Sequence, residues 1–188
     1  MNEKYYNKKI ENRNKIIEMQ KKELELLKKQ VEFYRNEAYT DSLTKLNNRR
    51  AITNIEQYDS VIFCDIDYFK RINDQRGHHI GDLVLIEISK VLKSNVRETY
   101  MVARWGGEEF IILLKNCDIK DAHNKALAIR NAMKLLSEKL GFTITLSFGI
   151  SSLNKDNLKN AINDADKAMY KSKRNGRNRI TIHQQKNI

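Results

Sequence analysis

Residues 5–39 contain neither glycine nor proline, the two residues that most strongly interrupt a helix. Apolar residues recur here at a strict seven-residue interval: Ile10, Ile17, Leu24, Val31 and Ala38. The companion position three residues later is apolar only in the C-terminal half, at Leu27 and Tyr34. The pattern predicts one helix of about 35 residues, roughly 50 Å long at 1.5 Å per residue. Such a helix cannot bury its apolar stripe alone, so we expect a homodimer through it; a single solvated helix that folds back on the remaining chain is the alternative.

We assign residues 1–39 to this helical stalk and residues 40–188 to one globular domain with one core. Apolar runs and alternation predict strands at residues 60–69, 142–150 and 179–183, and a strand–turn–strand hairpin at 99–114. Helical periodicity covers residues 82–96, 157–173 and a segment from Asp118 or Asp121 to Leu140, and a further helix is expected to start at Asn47. This mixture predicts an α+β or mixed-sheet α/β fold.

The chain is basic, with 35 Lys and Arg against 24 Asp and Glu and a formal charge of +11. The excess suits a polyanion such as a nucleotide, a nucleic acid or an acidic lipid surface, and it is equally compatible with plain solubility. The two cysteines, Cys64 and Cys117, have neither metal-ligand nor disulfide spacing, which indicates a reducing compartment. Because the sequence has no signal-peptide core and no apolar stretch near the ~20 residues of a membrane span, we expect a cytoplasmic protein. An upstream sensor or anchor would be a separate chain or a missing segment.

Two clusters of polar residues interrupt the apolar pattern in the first half of the domain. Asp65 and Asp67 end an apolar strand, where an unpaired carboxylate is costly unless a cation lies beside it or the strand end is exposed. Asn73 and Asp82 lie across a glycine-bearing loop. These two side chains can either read the edge of a guanine or take part in ordinary turn and cap hydrogen bonds.

Two more clusters follow in the second half. Gly106-Gly107-Glu108-Glu109 forms the hairpin tip, which is either a plain turn with solvated acids or a site for a hard cation. Glycine there permits positive φ and close approach of another molecule. Residues 171–179 concentrate Lys and Arg around Gly176, which suits phosphates or a solvated helix end. Together the four clusters supply metal-binding acids, a base reader and phosphate-binding cations, which points to nucleotide chemistry with Mg²⁺.

The order of these blocks resembles the GGDEF family of diguanylate cyclases over about residues 38–183. The matching blocks are residues 41–50, with Lys45 where glycine is usual, residues 63–74, Gly77-His78, Gly81-Asp82, the Gly-Gly-Glu-Glu-Phe signature at 106–110 and residues 170–178. The resemblance implies a fold like that of nucleotidyl cyclases and polymerase palm domains, a mainly antiparallel sheet wrapped by helices. It also implies an enzyme that condenses two GTP molecules to cyclic di-GMP and two pyrophosphates, with one GTP in each of two facing domains.

The resemblance implies a role for each candidate residue. Asp65 and Glu108, assisted by the carbonyl of Ile66, would hold two Mg²⁺ ions per half-site, and Mn²⁺ could replace them. Glu108 or Glu109 would help deprotonate the attacking 3′-hydroxyl. The remaining residues would contact the nucleotide: Lys70 at the developing phosphate charge, Asn73 and Asp82 at the guanine, Lys173 and Arg177 at the β- and γ-phosphates, and His78 near the nucleotide loop. Asp82 favours guanine, so cyclic di-GMP rather than a mixed dinucleotide is the expected product.

One segment departs from the family pattern. Many members carry an inhibitory Arg-x-x-Asp that ends five residues before the signature, and here Arg97 is in register while Tyr100 replaces the aspartate. We therefore expect weak or absent product inhibition, with Arg97 as a residual part of that site.

Two other functions agree with parts of the sequence. Within the family, a catalytically silent module that senses GTP or cyclic di-GMP is the alternative, although Asp65, Glu108 and Glu109 are all retained. Outside it, the charge alone would suit a basic coiled-coil nucleic-acid binder. Residues 1–40 hold ten basic and seven acidic residues in mixed order, which is typical of a solvated helix, so we expect no nucleic-acid partner.

Overall fold

The computed structural model describes residues 2–52, 58–153 and 158–184. It divides into two compact units, Met1–Tyr39 and Thr40–Ile188. The first unit is one helix, α1 (Asn2–Tyr39), as its lack of glycine and proline predicts. Its heptad residues are exposed in the single chain, including Leu24 at 53%. No helix in the described ranges has both the length and the hydrophobicity to cross a membrane.

Six strands among the described residues of the second unit form one mixed sheet. Across the sheet they are β1 (Asn47–Asn48), β3 (Met101–Arg104), β4 (Glu109–Leu114), β2 (Ser60–Ile66), β5 (Leu146–Ser152) and β6 (Ile180–Ile182). The four inner strands pair antiparallel, whereas the short outer strands β1 and β6 run parallel to β3 and β5. Strand β2 lies in the middle and is buried along its whole length, which explains its continuous apolar sequence.

Helices cover both faces of this sheet. On one face α2 (Phe69–Arg76), α3 (His78–Ser94) and α4 (Ile119–Leu140) pack over side chains such as Ile62 and Cys64. On the other face α5 (Leu158–Arg174) packs over Val61 and Phe63. Because side chains alternate along a strand, Asp65 at the end of β2 lies on the α5 face. The mixed α/β class predicted from the sequence is confirmed.

Close packing of α5 on β5 depends on a glycine. A Cβ atom at Gly149 would overlap the carbonyl oxygen of Ala165 and the amide nitrogen of Met169. Since both are backbone atoms of a helix, neither can move without moving α5 itself. Gly149 therefore sets the distance between α5 and the sheet. It thereby also sets how far the basic residues at the C-terminal end of α5 lie from the sheet.

Several boundaries differ from the sequence prediction. The central strand ends at Ile66, because Tyr68 adopts a left-handed φ of 58° and starts α2. Residues 73–82 are helical apart from Gly77, whose φ of 84° joins α2 to α3, so the loop predicted there was wrong. The strand predicted from residue 142 begins at Leu146, since the Ser137 hydroxyl occupies the backbone N–H and carbonyl of Ile144.

The helix predicted to start at Asn47 is also different. Asn47 and Asn48 form β1, and a 3₁₀ turn, Arg49–Ala51, follows them. The Asn48 side chain accepts the backbone N–H of Arg50, which caps this turn. Residues 53–57, and Asn157 at the predicted start of α5, lie outside the described residues.

Candidate active site

The signature turn joins β3 to β4 as predicted. The Trp105 N–H donates to the Glu109 carbonyl at 2.8 Å, which closes the turn. The Arg104 guanidinium donates to the Gly107 carbonyl at 2.7 Å and 3.1 Å, and its Nη1 lies 3.2 Å from Asp41 Oδ1. Arg104 therefore connects two parts of the second unit: the turn that carries Glu108, and Asp41 near the start of the unit.

The two signature glycines act through size rather than through positive φ. Positive-φ glycines in the described chain are Gly77, Gly141 and Gly176, so neither signature glycine uses the positive φ that glycine permits. A Cβ at Gly106 would lie 2.8 Å from Glu109 Oε2, so this glycine makes room for the Glu109 carboxylate. Gly107 has no heavy atom within 4 Å of its Cβ position, which leaves its backbone open to an approaching molecule.

Three carboxylates converge at the end of β2 nearest this turn. Asp65 pairs in register with Glu109 across β2 and β4, and the Ile66 N–H donates to the Glu108 carbonyl at 3.2 Å. Lys173, from α5, places its Nζ 2.6 Å from Asp65 Oδ2. The other oxygen, Asp65 Oδ1, is buried and has no hydrogen-bond partner. A buried carboxylate oxygen without a partner is costly, so this atom needs a ligand.

Burial raises the pKa of all three acids, and a neighbouring carboxylate adds to each shift. Burial raises the pKa of Asp65 above its ordinary value, and the neighbouring Lys173 opposes the rise. Burial also raises the pKa of Glu108 and of Glu109, and the Asp65 carboxylate adds to both shifts. The nearby cations do not offset burial and like charge, because the pKa of every one of the three acids stays raised, and this favours a bound cation.

The donor set fits a hard divalent cation. Carboxylate and carbonyl oxygens, here from Asp65, Glu108 and Ile66, are the ligands that Mg²⁺ prefers. Within residues 2–52, 58–153 and 158–184, no three His, Cys, Asp or Glu side chains form a complete metal site. Substrate and water oxygens would have to complete the coordination, as is usual for Mg²⁺ bound with a nucleotide.

The predicted guanine-binding residues lie on α2 and α3, on either side of the junction at Gly77. Asn73 lies on α2, and a Cβ at Gly81 on α3 would overlap its Oδ1 atom. Gly81 therefore admits the Asn73 side chain beside Asp82, which is exposed on the next residue of α3. His78 is exposed at the first residue of α3, and Lys70 is exposed in the first turn of α2.

The predicted phosphate-binding residues lie at the C-terminal end of α5 and in the loop after it. Arg177 has a left-handed φ of 61°, and its guanidinium carbon lies 4.3 Å from the centre of the Tyr68 ring. Its Nη1 donates to the Tyr68 hydroxyl at 3.2 Å. Tyr68 immediately precedes α2, so this contact connects the basic loop to the segment that follows β2.

Arg97 lies apart from these residues. It is exposed before the first residue of β3, at the end of that strand opposite the signature turn. It borders a cavity of about 460 Å³ together with Lys45, Lys93 and Tyr100. Tyr100 is only 8% exposed, so its side chain belongs to the core rather than to a surface site.

Sequence analysis missed three contributions to the site. The Arg104–Asp41 pair joins residues 63 positions apart, and Asp67 contacts residues 78 to 111 positions away. The role of Gly81 depends on the packing of two helices where a loop was expected. The Asp-x-Asp pattern at residues 65–67 was a usable signal for Asp67, because alternation places both carboxylates on one face of the strand.

Residues 38–179 match the protein family described as diguanylate cyclase, GGDEF domain. The chain belongs to this family. The resemblance found in the sequence is thereby confirmed, and the enzymes of this family depend in general on divalent metal ions.

The chain also matches parts of longer curated relatives. The chain is 43% identical over 128 residues to diguanylate cyclase A of Treponema denticola, a match that covers 65% of this chain and 34% of the relative. It is 39% identical over 165 residues to a diguanylate cyclase of Vibrio cholerae, covering 79% of this chain and 50% of the relative. The chain thus spans about a third to a half of the length of these two relatives.

Solved GGDEF structures agree with the fold. The coiled coil and GGDEF domain of DgcB from Caulobacter crescentus, in complex with c-di-GMP, gives a TM-score of 0.77 at 29% identity, covering 86% of this chain and 94% of that one. The active GGEEF domain of a diguanylate cyclase from Vibrio cholerae gives 0.63 at 40% identity, covering 69% and 85%. Diguanylate cyclase SiaD from Pseudomonas aeruginosa, in complex with its activator SiaC, gives 0.77 at 27% identity, covering 95% and 75%.

Proposed function

We propose that this chain is a diguanylate cyclase that condenses two GTP molecules to cyclic di-GMP and two pyrophosphates. The observation that carries the proposal is the buried, unpartnered Asp65 Oδ1 beside Glu108 and Glu109, within a domain of the GGDEF family. A domain that only bound nucleotide would not need Asp65 so close to Glu108 and Glu109 that its charge raises the pKa of both.

We assign the metal site to Asp65, Glu108 and the Ile66 carbonyl, with two Mg²⁺ ions per half-site or Mn²⁺ in their place. Bound there, the ions would stabilise the charge on the attacking and leaving oxygens of an in-line displacement. Glu108 or Glu109 accepts the proton of the 3′-hydroxyl. Burial raises the pKa of both side chains, which strengthens them as proton acceptors.

The remaining site residues bind and orient GTP. Asn73 and Asp82 form hydrogen bonds with the guanine edge, and His78 lies near this end. Lys173 and Arg177 bind the β- and γ-phosphates, and Lys70 stabilises the charge that develops on the phosphate. A carboxylate at Asp82 accepts the guanine N–H groups and selects against adenine.

Catalysis requires a second copy of the chain. Each domain supplies one GTP, so the half-sites must face each other, and α1 carries the exposed heptad residues that would hold two chains together. Tethering raises the effective concentration of the second domain to the millimolar range for short tethers. We place this dimer in the cytoplasm, where GTP is available, with any sensor input arriving through the stalk.

Product inhibition through the Arg-x-x-Asp position is expected to be weak or absent. Tyr100 cannot supply the missing carboxylate. It is buried in the core next to the first residue of β3, whereas the signature turn follows the last residue of that strand. Arg97 remains as the residual part of that site.

Incubation of the protein with GTP and Mg²⁺, followed by chromatography and mass spectrometry, tests the proposal. We expect cyclic di-GMP, and its loss in the Glu108→Ala variant with folding intact. Cyclic GMP-AMP as the main product from mixed GTP and ATP would contradict the role of Asp82. Tight GTP binding without any dinucleotide product would favour the silent sensing module instead.

A further inference from the structure

Asp67 is a buried carboxylate that the proposed reaction does not use. It is 4% exposed and lies two residues after Asp65. The Ser147 hydroxyl donates to Oδ1 at 2.6 Å, and the Thr145 hydroxyl donates to Oδ2 at 2.6 Å. The third donor is the backbone N–H of Asn178, 3.0 Å from Oδ2. Its two oxygens therefore join β5 to the loop that follows α5.

That loop has an unusual backbone. Gly176, Arg177 and Asn178 all have positive φ, at 108°, 61° and 45°. Residues other than glycine rarely adopt this conformation. Two such residues in succession persist only where the surrounding structure holds them. The hydrogen bond from Asn178 to Asp67 is such a restraint, and it acts on the peptide directly after Arg177.

The Arg177 side chain is held by the residue next to Asp67. Its guanidinium stacks at 4.3 Å on the Tyr68 ring and donates to the Tyr68 hydroxyl. Tyr68 itself is left-handed, with φ of 58°. Asp67 thus restrains the backbone next to Arg177, while Tyr68 supports the Arg177 guanidinium.

We propose that Asp67 is a positioning residue that sets Arg177 for the triphosphate of GTP, and that Ser147 and Thr145 in turn orient Asp67. This rests on the proposed function, in which Arg177 binds the β- and γ-phosphates. Asp67 does not touch the nucleotide. Its effect is therefore confined to ligands that carry those phosphates.

The first test compares GTP with GMP, which lacks the β- and γ-phosphates. In the full chain, Asp67→Asn keeps the side-chain volume but replaces one accepting oxygen with a donor. We expect the dissociation constant of a non-hydrolysable GTP analogue to rise about tenfold, since one charge-assisted phosphate contact is misplaced. The dissociation constant of GMP should not change.

Ser147→Ala provides a milder variant with a matched control. Ser147 and Ser151 are buried serines four residues apart on β5, but the Ser151 hydroxyl donates to the Ala161 carbonyl instead. Ser147→Ala should lower the preference for the GTP analogue over GMP, and Ser151→Ala should leave it unchanged at a similar loss of thermal stability. Equal weakening of both nucleotides, or equal effects of the two serine variants, would overturn the proposal.

A double-mutant comparison tests the link to Arg177. If Asp67 acts through Arg177, adding Asp67→Asn to Arg177→Ala should not weaken binding of the GTP analogue further. If the increases in the dissociation constant from the two single variants multiply in the double variant, Asp67 acts independently of Arg177. These readouts are binding constants, so they remain interpretable if wild-type protein binds GTP without forming cyclic di-GMP, a result that contradicts only the proposed function.

Discussion

The proposed guanine-binding end of the site depends on the absence of a side chain at Gly81. Gly81 leaves the space into which Asn73 Oδ1 fits, and the side chain of Asn73 is the flexible partner in this contact. An added Cβ would therefore displace the Asn73 side chain, and it would press only slightly on Phe69 Cζ, which lies 3.3 Å from that position. The distinction separates a binding defect from a folding defect.

Gly81→Ala should raise the KM for GTP about tenfold, because a displaced Asn73 loses its hydrogen bonds with the base. The melting temperature should change little. Steady-state kinetics and a thermal melt measure the two quantities. Leu83→Ala, at an exposed position two residues later on α3, is the matched control and should leave KM unchanged. Similar losses in both variants would show that Gly81 serves only helix packing.

At the scale of elements, the ion pair between Arg104 and Asp41 connects the β3–β4 hairpin to the segment before β1. Burial alone would raise the pKa of Asp41, but hydrogen bonds from Thr44 and the nearby Arg104 guanidinium lower it below its ordinary value. A group with a lowered folded-state pKa stabilises the protein above its unfolded pKa. That stability is lost as the pH falls through the folded-state value.

Asp41→Asn should therefore lower the free energy of unfolding by about 1 kcal/mol at pH 7, the usual scale for one hydrogen-bonded group. The difference from wild type should shrink once the pH falls below the ordinary value of 3.8 for this side chain. Urea unfolding at a series of pH values between 7 and 3 measures it. A difference that stays constant over this range would mean that the charge of Asp41 contributes nothing.

The packing of α5 on the sheet gives a second prediction at this scale. Gly149→Ala should destabilise the domain by about 1–3 kcal/mol or more, because the new methyl group meets only backbone atoms of α5. Gly107→Ala is the matched control for stability, since its Cβ position is open. Chemical denaturation distinguishes them, and equal stability of the two variants would contradict the close approach of α5.

Elements with a strong local pattern could be predicted from the sequence, and contacts between distant elements could not. The heptad of α1 and the apolar run of β4 are local properties, and both elements appear where expected. Residues 73–82 were misjudged because two glycines suggested a loop, whereas Gly77 alone interrupts the helices. The identity of Asp65 and Glu108 as candidate ligands followed from the resemblance. The partners of Asp67 required a structure, since 111 positions separate it from Asn178.

For the whole molecule, the prediction concerns dimer formation through α1. Leu24 belongs to the heptad seam, while Leu26 lies on a different side of the helix, and both are exposed in the single chain. Leu24→Asp should lower specific activity steeply at low protein concentration and much less at high concentration, because pairing of two domains becomes limiting. Leu26→Asp should have little effect. Equal loss at every concentration in the Leu24 variant would argue against simple tethering.

The hydrogen bond between Asp67 and Asn178 also bears on when, during synthesis, the protein becomes able to bind a nucleotide. Domains gain their long-range contacts only after the later segment has been synthesised. The three carboxylates have all been synthesised once Glu109 has emerged from the ribosome, but Arg177 follows 68 residues later. If Arg177 binds the triphosphate as proposed, a nascent chain gains this binding only after synthesis has passed residue 178, and nucleotide binding would report that point.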